Sequence, residues 1–144
     1  QTLVSLPAKP GVYSGAIMRP KACIILPTYN EAENVKYVIL NIFRQQKEIT
    51  SHELHVLVVD DNSPDNTQRI IREMMNEYKN LHLLTGQKKG LGEAYMRGMK
   101  HAQDLLSPDL IFEMDADGQY DAGLIPLFIL LSKNGFDLIT GFCT

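Results

Sequence analysis

The chain has 144 residues, of which 44% are hydrophobic and 22% charged, and its formal net charge is −3. This length suits a single domain that buries about two-thirds of its unfolded surface, so a core needs neither a disulfide nor a structural metal. The slight acidity argues against a nucleic-acid partner. No apolar run approaches the roughly 20 residues that span a bilayer.

The ends of the chain are less informative than its middle. Cys23 and Cys143 form no spaced pair, which indicates free thiols and a cytoplasmic location. Residues 1–20 carry three prolines and two glycines without periodicity, so we expect a leader of unknown role there. We expect residues 21–144 to form one unit, and the absence of a first methionine suggests a piece of a longer protein.

From Lys21 onward, short β-rich runs alternate with helical patterns. The predicted strands are Ala22–Leu26, Leu54–Val59, Leu81–Thr85, Leu110–Met114 and Asp137–Thr140. The four predicted helix faces are Val35, Val38, Ile39, Ile42 and Phe43; Ile70, Ile71, Met74, Met75 and Tyr78; Tyr95, Met99, Ala102, Leu105 and Leu106; and Leu124, Leu127, Phe128 and Leu131. Several strands are apolar nearly throughout, as strands covered on both faces must be. The pattern predicts an α/β fold with a mainly parallel sheet, flanked by helices, whose functional loops lie at the carboxyl ends of the strands.

The first predicted strand ends in Pro27-Thr28-Tyr29-Asn30-Glu31. Its aromatic ring, amide and carboxylate suit stacking on a base and hydrogen bonding to a base or ribose. The same segment equally fits a turn in which Asn30 and Glu33 cap the next helix.

The second predicted strand ends in two carboxylates, Asp60 and Asp61. Adjacent carboxylates repel each other unless a cation or a hydrogen-bonded ligand shares the site, so the pair indicates binding. Asp65, Asn66 and Thr67 fit better as caps of the following helix.

The loop after the third predicted strand, Gly86-Gln87-Lys88-Lys89-Gly90-Leu91-Gly92, has neither P-loop nor dinucleotide-fingerprint spacing. Its backbone amides and Lys88 nevertheless suit a diphosphate at a helix start. A solvated turn is the open alternative for both lysines.

The fourth predicted strand runs into Met114-Asp115-Ala116-Asp117-Gly118-Gln119. Two carboxylates one residue apart, followed by a glycine turn and an amide oxygen, supply hard oxygen ligands on a short arc. This arrangement suits Mg²⁺ or Mn²⁺ holding a diphosphate. A solvent-facing acidic turn is the alternative.

Taken in order, these four motifs resemble the inverting family 2 glycosyltransferases, and among them the dolichol- or polyprenol-phosphate mannosyltransferases. The resemblance covers roughly residues 21–141 and implies a GT-A fold, a nucleoside-diphosphate sugar donor such as GDP-mannose or a UDP-sugar, and a divalent metal. It further implies a dolichol or polyprenol phosphate acceptor, and a membrane surface reached through a C-terminal part that this chain lacks, on the cytosolic face. Without that part, we expect the chain to bind donor but not to transfer sugar.

By the pattern of that family, the nucleoside is held by Pro27, Tyr29, Glu31 and Asp61, with Val59 packed nearby. Asp115 and Ala116 would lie along the ribose and diphosphate. The metal ligands would be Asp117 and Gln119 with Asp115 close by, which makes Asp117 the expected catalytic residue. In the family a Ser-Arg or Thr-Arg usually follows the last strand, where this chain has Phe142-Cys143-Thr144.

Two alternatives stay open. Val56-Leu57-Val58-Val59-Asp60-Asp61 followed by a helix is also typical of a response-regulator receiver domain, with Asp115 as phospho-acceptor, although a receiver begins with that strand. The missing arginine also fits a non-catalytic module that binds sugar nucleotides.

Overall fold

The structure, a computed structural model, describes residues 2–5, 19–117, 121–133 and 138–140. The strands are β1 (Thr2–Ser5), β2 (Lys21–Thr28), β3 (Glu53–Asp60), β4 (Leu81–Thr85), β5 (Leu110–Glu113) and β6 (Leu138–Thr140). The α-helices are α1 (Val35–Arg44), α2 (Thr67–Met75), α3 (Leu91–Leu106) and α4 (Ile125–Lys133), with 3-10 turns at Gln45–Glu48 and Ala122–Leu124. All the predicted strands and helices are found, with boundaries shifted by a few residues.

The six strands form one sheet in the order β4-β3-β2-β5-β1-β6. Strands β2, β3, β4 and β5 are parallel to their neighbours in this group. Strand β1 is antiparallel to both β5 and β6, so it separates the last predicted strand from the parallel group. The sheet is therefore mainly parallel and flanked by helices, as the sequence predicts.

Strand β1 lies in the segment expected to be a leader. Residues 2–5 are instead part of the sheet, so the expectation of a separate leader does not hold for them. Residues 6–18 lie outside the described part of the chain. Residues 2–5 precede the regular alternation of strand and helix patterns that begins at Lys21, so that alternation predicts no strand there.

The buried apolar residues lie in two layers on opposite faces of the sheet. The larger layer joins one face to α1, α2 and α4, and the smaller joins the other face to α3. On α3, Ala94, Gly98 and Ala102 are buried at four-residue spacing. A Cβ on Gly98 would lie 2.8 Å from methyl groups of Ile25 and Val59, so a glycine permits this close approach.

Two residues of the predicted apolar faces are not in the core. Leu105 is 53% exposed and Leu127 is 47% exposed. Small residues form the contact surface of α3, which leaves its larger apolar side chains at the margins. Cys23 is buried as predicted, and burial raises the pKa of its thiol to about 12, which makes it unreactive.

A histidine pair lies where β3 and β4 adjoin on the α3 face. His55 Nε2 lies 2.7 Å from a carboxylate oxygen of Glu53, and His55 Nδ1 lies 3.0 Å from Nε2 of His82. Since an ionised carboxylate only accepts, His55 donates to Glu53 through Nε2, and its Nδ1 accepts from His82. Protonating His55 would set two N–H groups against each other.

We expect the stability of the fold to fall on mild acidification. Burial, the largest cause, lowers the pKa of both His55 and His82 below the ordinary 6.5. The unfolded chain therefore takes up protons first as the pH falls below 6.5, and the free energy of unfolding decreases from there toward the lower folded pKa values. Urea unfolding from pH 7.5 to 5 measures this. A variant with both residues changed to Gln should have a flatter profile, and an equally steep one would contradict the prediction.

Candidate functional site

The candidate site follows from the strand order. The chain moves outward from β2 to β3 and β4, then returns to place β5 on the other side of β2. The carboxyl ends of these parallel strands share one edge, and the direction in which the chain adds strands reverses between β2 and β5. Such a switch point is where open α/β sheets bind ligands. The described residues of all four motifs singled out in the sequence lie at this edge.

Asp60, at the end of β3, is fully buried and serves the fold. One of its carboxylate oxygens accepts from the hydroxyls of Thr28 (2.7 Å) and Ser63 (2.6 Å). The other accepts from the Ser63 backbone N–H (2.9 Å) and the Gln68 amide (2.7 Å). Four donors of the chain thus stabilise the charge of Asp60, and the expectation that the pair binds a ligand rests on Asp61.

The loop after β3 fixes the loop after β2. Ser63 Oγ accepts from the backbone N–H of Asn30 at 2.9 Å, and Thr67 Oγ1 accepts from that of Glu31 at 3.0 Å. Asp65 accepts from the N–H of Ala32 and also from that of Thr67 in the first turn of α2. The capping expectation is therefore met only by Asp65.

The other expected caps do not form. Asn66 is the N-cap residue of α2 but makes no side-chain cap. The N-cap residue of α1 is Asn34, rather than Asn30 or Glu33. Asn30 has a positive φ of 54°, a conformation that asparagine tolerates better than most residues. This residue turns the chain sharply just after Tyr29.

Asp61 lies beside Asp60 but has a different environment. Its Oδ1 is 2.7 Å from Nη2 of Arg97, whose Nη1 is 3.0 Å from Glu93 one helical turn away. Sequence reasoning missed Arg97. The available signal was its four-residue spacing from Glu93 near the start of a helix that follows the binding-edge loops.

Tyr29 and Lys88 meet at this edge. The Lys88 ammonium lies 3.8 Å from the centroid of the Tyr29 ring, which is a cation–π contact. Tyr29 is 39% exposed, enough for its ring to offer a surface to a ligand. Lys88 follows β4, and its side chain reaches the residue that follows β2. The structure thus places Lys88 beside Tyr29.

Three other residues expected to hold the nucleoside lie near the ends of β2 and β3. Val59 is fully buried beneath α3, and Pro27 pairs with it in the strand register. The Glu31 carboxylate accepts from the side chain of Asn34 at 3.3 Å, at the start of α1.

The acidic motif lies at the end of β5. Asp115 is half-buried, and its Oδ1 accepts from the Tyr95 hydroxyl at 2.9 Å. Tyr95, predicted as a core residue of α3, thereby orients this carboxylate. Ala116 is buried and Asp117 is exposed. Gln119 and the Phe142-Cys143-Thr144 end lie outside the described residues.

These donors fit a hard divalent cation. Within the described ranges, no three His, Cys, Asp or Glu side chains form a cluster that could hold a metal. Mg²⁺ commonly takes only one or two protein carboxylates and completes its coordination with substrate phosphates and water. Asp115 and Asp117 supply that number, and the Tyr95 hydroxyl provides the outer-shell hydrogen bond that holds such a ligand in place.

Comparison with known proteins agrees with this geometry. The family model "Glycosyl transferase family 2" matches residues 23–144. The chain is 36% identical over 121 residues to a dolichol-phosphate mannosyltransferase of Pyrococcus furiosus, covering 84% of this chain and 32% of the relative. It is 31% identical over 130 residues to a polyprenol monophosphomannose synthase of Mycolicibacterium smegmatis, covering 88% and 47%. The chain thus spans about a third to a half of the length of these curated relatives.

Solved structures show the same fold. A mannosyltransferase of Pyrobaculum calidifontis, solved with GDP-Man and Mn²⁺, matches with a TM-score of 0.51 and 30% identity, over 60% of this chain and 25% of that chain. TarS of S. aureus, solved with UDP-GlcNAc, matches with a TM-score of 0.62 and 23% identity, over 78% and 31%. In the described part of this chain, no helix is long and apolar enough to cross a membrane. The family match rules against the receiver-domain alternative. The chain has a GT-A fold and belongs to glycosyl transferase family 2.

Proposed function

We propose that residues 21–144 form the nucleotide-sugar-binding part of a metal-dependent inverting glycosyltransferase. The donor is a nucleoside-diphosphate sugar carrying mannose or glucose, and the acceptor is a dolichol or polyprenol phosphate. The observation that carries the proposal is the pair of acidic sites on either side of the switch point. Asp61 ends β3 and Asp115 ends β5, with β2 between them.

The spacing of these sites supports one orientation of the donor. Two strand spacings, about 10 Å, separate β3 from β5. The nucleoside lies on the Asp61 side, where Tyr29 offers its ring, and the diphosphate lies near Asp115 and Asp117. That a relative was solved with GDP-Man and Mn²⁺ supports the use of a divalent metal.

The acceptor determines how much acid–base chemistry the protein must supply. The second pKa of a phosphate monoester is about 6, so a lipid phosphate is largely anionic near neutral pH and needs no strong general base. The more demanding task is to stabilise charge on the departing nucleoside diphosphate, which a bound Mg²⁺ or Mn²⁺ does as a Lewis acid. Such an acceptor would bring the protein to the cytosolic face of a membrane.

Donor binding is tested by calorimetric titration with GDP-mannose and UDP-glucose, each with and without Mn²⁺. We expect saturable, metal-dependent binding of one of them. If neither binds, the nucleotide-site assignment is wrong.

Transfer is tested on the protein together with any sequence that flanks these 144 residues. It is incubated with radiolabelled GDP-mannose or UDP-glucose, Mn²⁺ and a short polyprenol phosphate, and the lipid is then extracted. Label in the lipid phase is expected. Donor binding with label confined to the aqueous phase would contradict the lipid acceptor and favour a non-catalytic binding module.

Replacing Asp61 with Ala is expected to weaken nucleoside binding by about 1.5–3 kcal/mol, because a carboxylate that accepts from base or ribose donors is lost. Titration with a nucleoside monophosphate measures this without the metal end of the site. Asp104→Ala, an exposed carboxylate on α3 beyond Arg97, is the matched control and should bind as the parent does. Equal affinity in Asp61→Ala would put the base site elsewhere.

A further inference from the structure

The Arg97 side chain lies on a helix that flanks the sheet, yet it is largely buried and paired with two carboxylates. Its side chain is 23% exposed, and that of Asp61 is 10% exposed. Its guanidinium donates to Asp61 at 2.7 Å and to both carboxylate oxygens of Glu93 at 3.0 and 3.2 Å. The guanidinium therefore joins α3 to the end of β3.

Gly86 provides the surface on which this guanidinium rests. A Cβ built on Gly86 would lie 2.7 Å from both Cζ and Nη1 of Arg97, closer than a real Cβ comes to any atom. The φ of Gly86 is outside the positive range, so an added Cβ would act here by shifting the Arg97 guanidinium and not by straining the backbone. Arg97 Nε is buried and has no hydrogen-bond partner among the described residues.

The pairing uses only one oxygen of Asp61. Arg97 donates to Oδ1, and within the described ranges Oδ2 accepts no hydrogen bond. A carboxylate oxygen has two lone pairs, so Oδ2 can accept from an N–H of a base or an O–H of a ribose. A guanidinium that is hydrogen-bonded to one oxygen restricts rotation of the carboxylate and thereby orients the other oxygen.

We infer that Arg97 is a positioning residue for nucleoside recognition, which acts by orienting Asp61 and is itself seated on Gly86. The inference rests on the proposed nucleotide site. It requires the effect of Arg97 to be confined to the nucleoside, because Asp115 and Asp117 follow a strand two positions away from β3.

The test compares three ligands, GDP, UDP and pyrophosphate, each titrated with Mn²⁺ into the parent and its variants. Arg97→Met should weaken binding of the preferred nucleoside diphosphate at least about tenfold, the loss that corresponds to one charged hydrogen bond. Pyrophosphate affinity should stay unchanged. Arg97→Lys keeps the charge without the planar fork, so it should restore only part of the affinity. Titration of the 2′-deoxy form of the preferred nucleotide distinguishes a base donor from the ribose 2′-hydroxyl.

Gly86→Ala makes the inference testable even if Arg97→Met folds poorly. The added methyl group displaces the guanidinium while every charge stays in place, so nucleoside diphosphate affinity should fall and pyrophosphate affinity should not. Glu93→Gln is the matched control: it removes the charge of the second carboxylate beside Arg97, and its affinity should stay within about threefold of the parent.

The outcomes separate the two hypotheses. A parent that binds neither GDP nor UDP overturns the proposed function and this inference together. A parent that binds, with Arg97→Met and Gly86→Ala variants that bind nucleoside diphosphates equally well, overturns the inference alone. An equal loss of pyrophosphate affinity would identify a general structural role and also overturn it.

Discussion

Replacing Asp117 with Ala is expected to weaken nucleoside diphosphate binding by about 100-fold or more. Loss of a mere outer-shell partner typically costs 10–100-fold in metal affinity, and a direct carboxylate ligand contributes at least as much. Without the metal, the diphosphate charge would face the Asp115 carboxylate at the same strand end. The nucleoside diphosphate, whose charge the metal neutralises in the parent, would then be repelled by Asp115.

EDTA provides the matching measurement on the unaltered protein. Calorimetric titration with GDP or UDP in excess EDTA should reproduce the loss caused by Asp117→Ala, and EDTA should have little further effect on that variant. The Asp104→Ala control should keep both its affinity and its metal dependence. Binding that survives both EDTA and the loss of Asp117 would contradict the metal assignment.

The parallel part of the fold could be predicted from the sequence because its signals are long and regular. Buried parallel strands are apolar nearly throughout, and in the helices between them apolar residues recur with a period of 3.6 residues. Strand β1 precedes the alternation of strand and helix patterns, so the pattern that reveals the similarly short β5 and β6 does not extend to it. Its antiparallel insertion also changes the neighbour of the last strand, which no local pattern could reveal.

The location of the site could be predicted from the sequence, but the contacts between its side chains could not. Strand-end motifs identify Asp61 and Asp115, because chemistry at the carboxyl edge follows from the fold class. Their partners Arg97 and Tyr95 come from α3, and which residues of a helix face the strand ends depends on how the helix packs. The close approach at Gly98 sets that packing, and it is a tertiary property.

Asp60 and Asp61 show the same limit. The two are identical in type and adjacent in sequence, and both are buried. Side chains alternate along a strand, so neighbours at its end point in different directions. Asp60 accepts from hydroxyls at the end of β2 and in the loop after β3 and from an amide of α2, whereas Asp61 meets a guanidinium of α3. The sequence presents a pair, and the fold gives its members separate roles.

Replacing Asp60 with Ala should consequently have the largest effect on stability, a loss of about 3–5 kcal/mol in the free energy of unfolding. The variant removes the acceptor of four hydrogen bonds. The Ser63 backbone N–H and the Gln68 amide can only donate in these bonds, so these partly buried groups would lose their acceptor at a cost of about 1–3 kcal/mol each. Urea unfolding measures the change.

Asp60→Asn is the sharper comparison, because the two carboxylate oxygens have different kinds of donor. One oxygen accepts only from hydroxyls, those of Thr28 and Ser63, which can rotate to accept from an amide NH₂ instead. The other oxygen accepts from N–H groups, which an amide oxygen can still satisfy. Asn should therefore fit in one orientation and cost only about 1–2 kcal/mol, for the lost charge. If Asn destabilises the fold as much as Ala does, the negative charge of Asp60 matters more than its hydrogen-bond geometry, and the purely structural assignment fails.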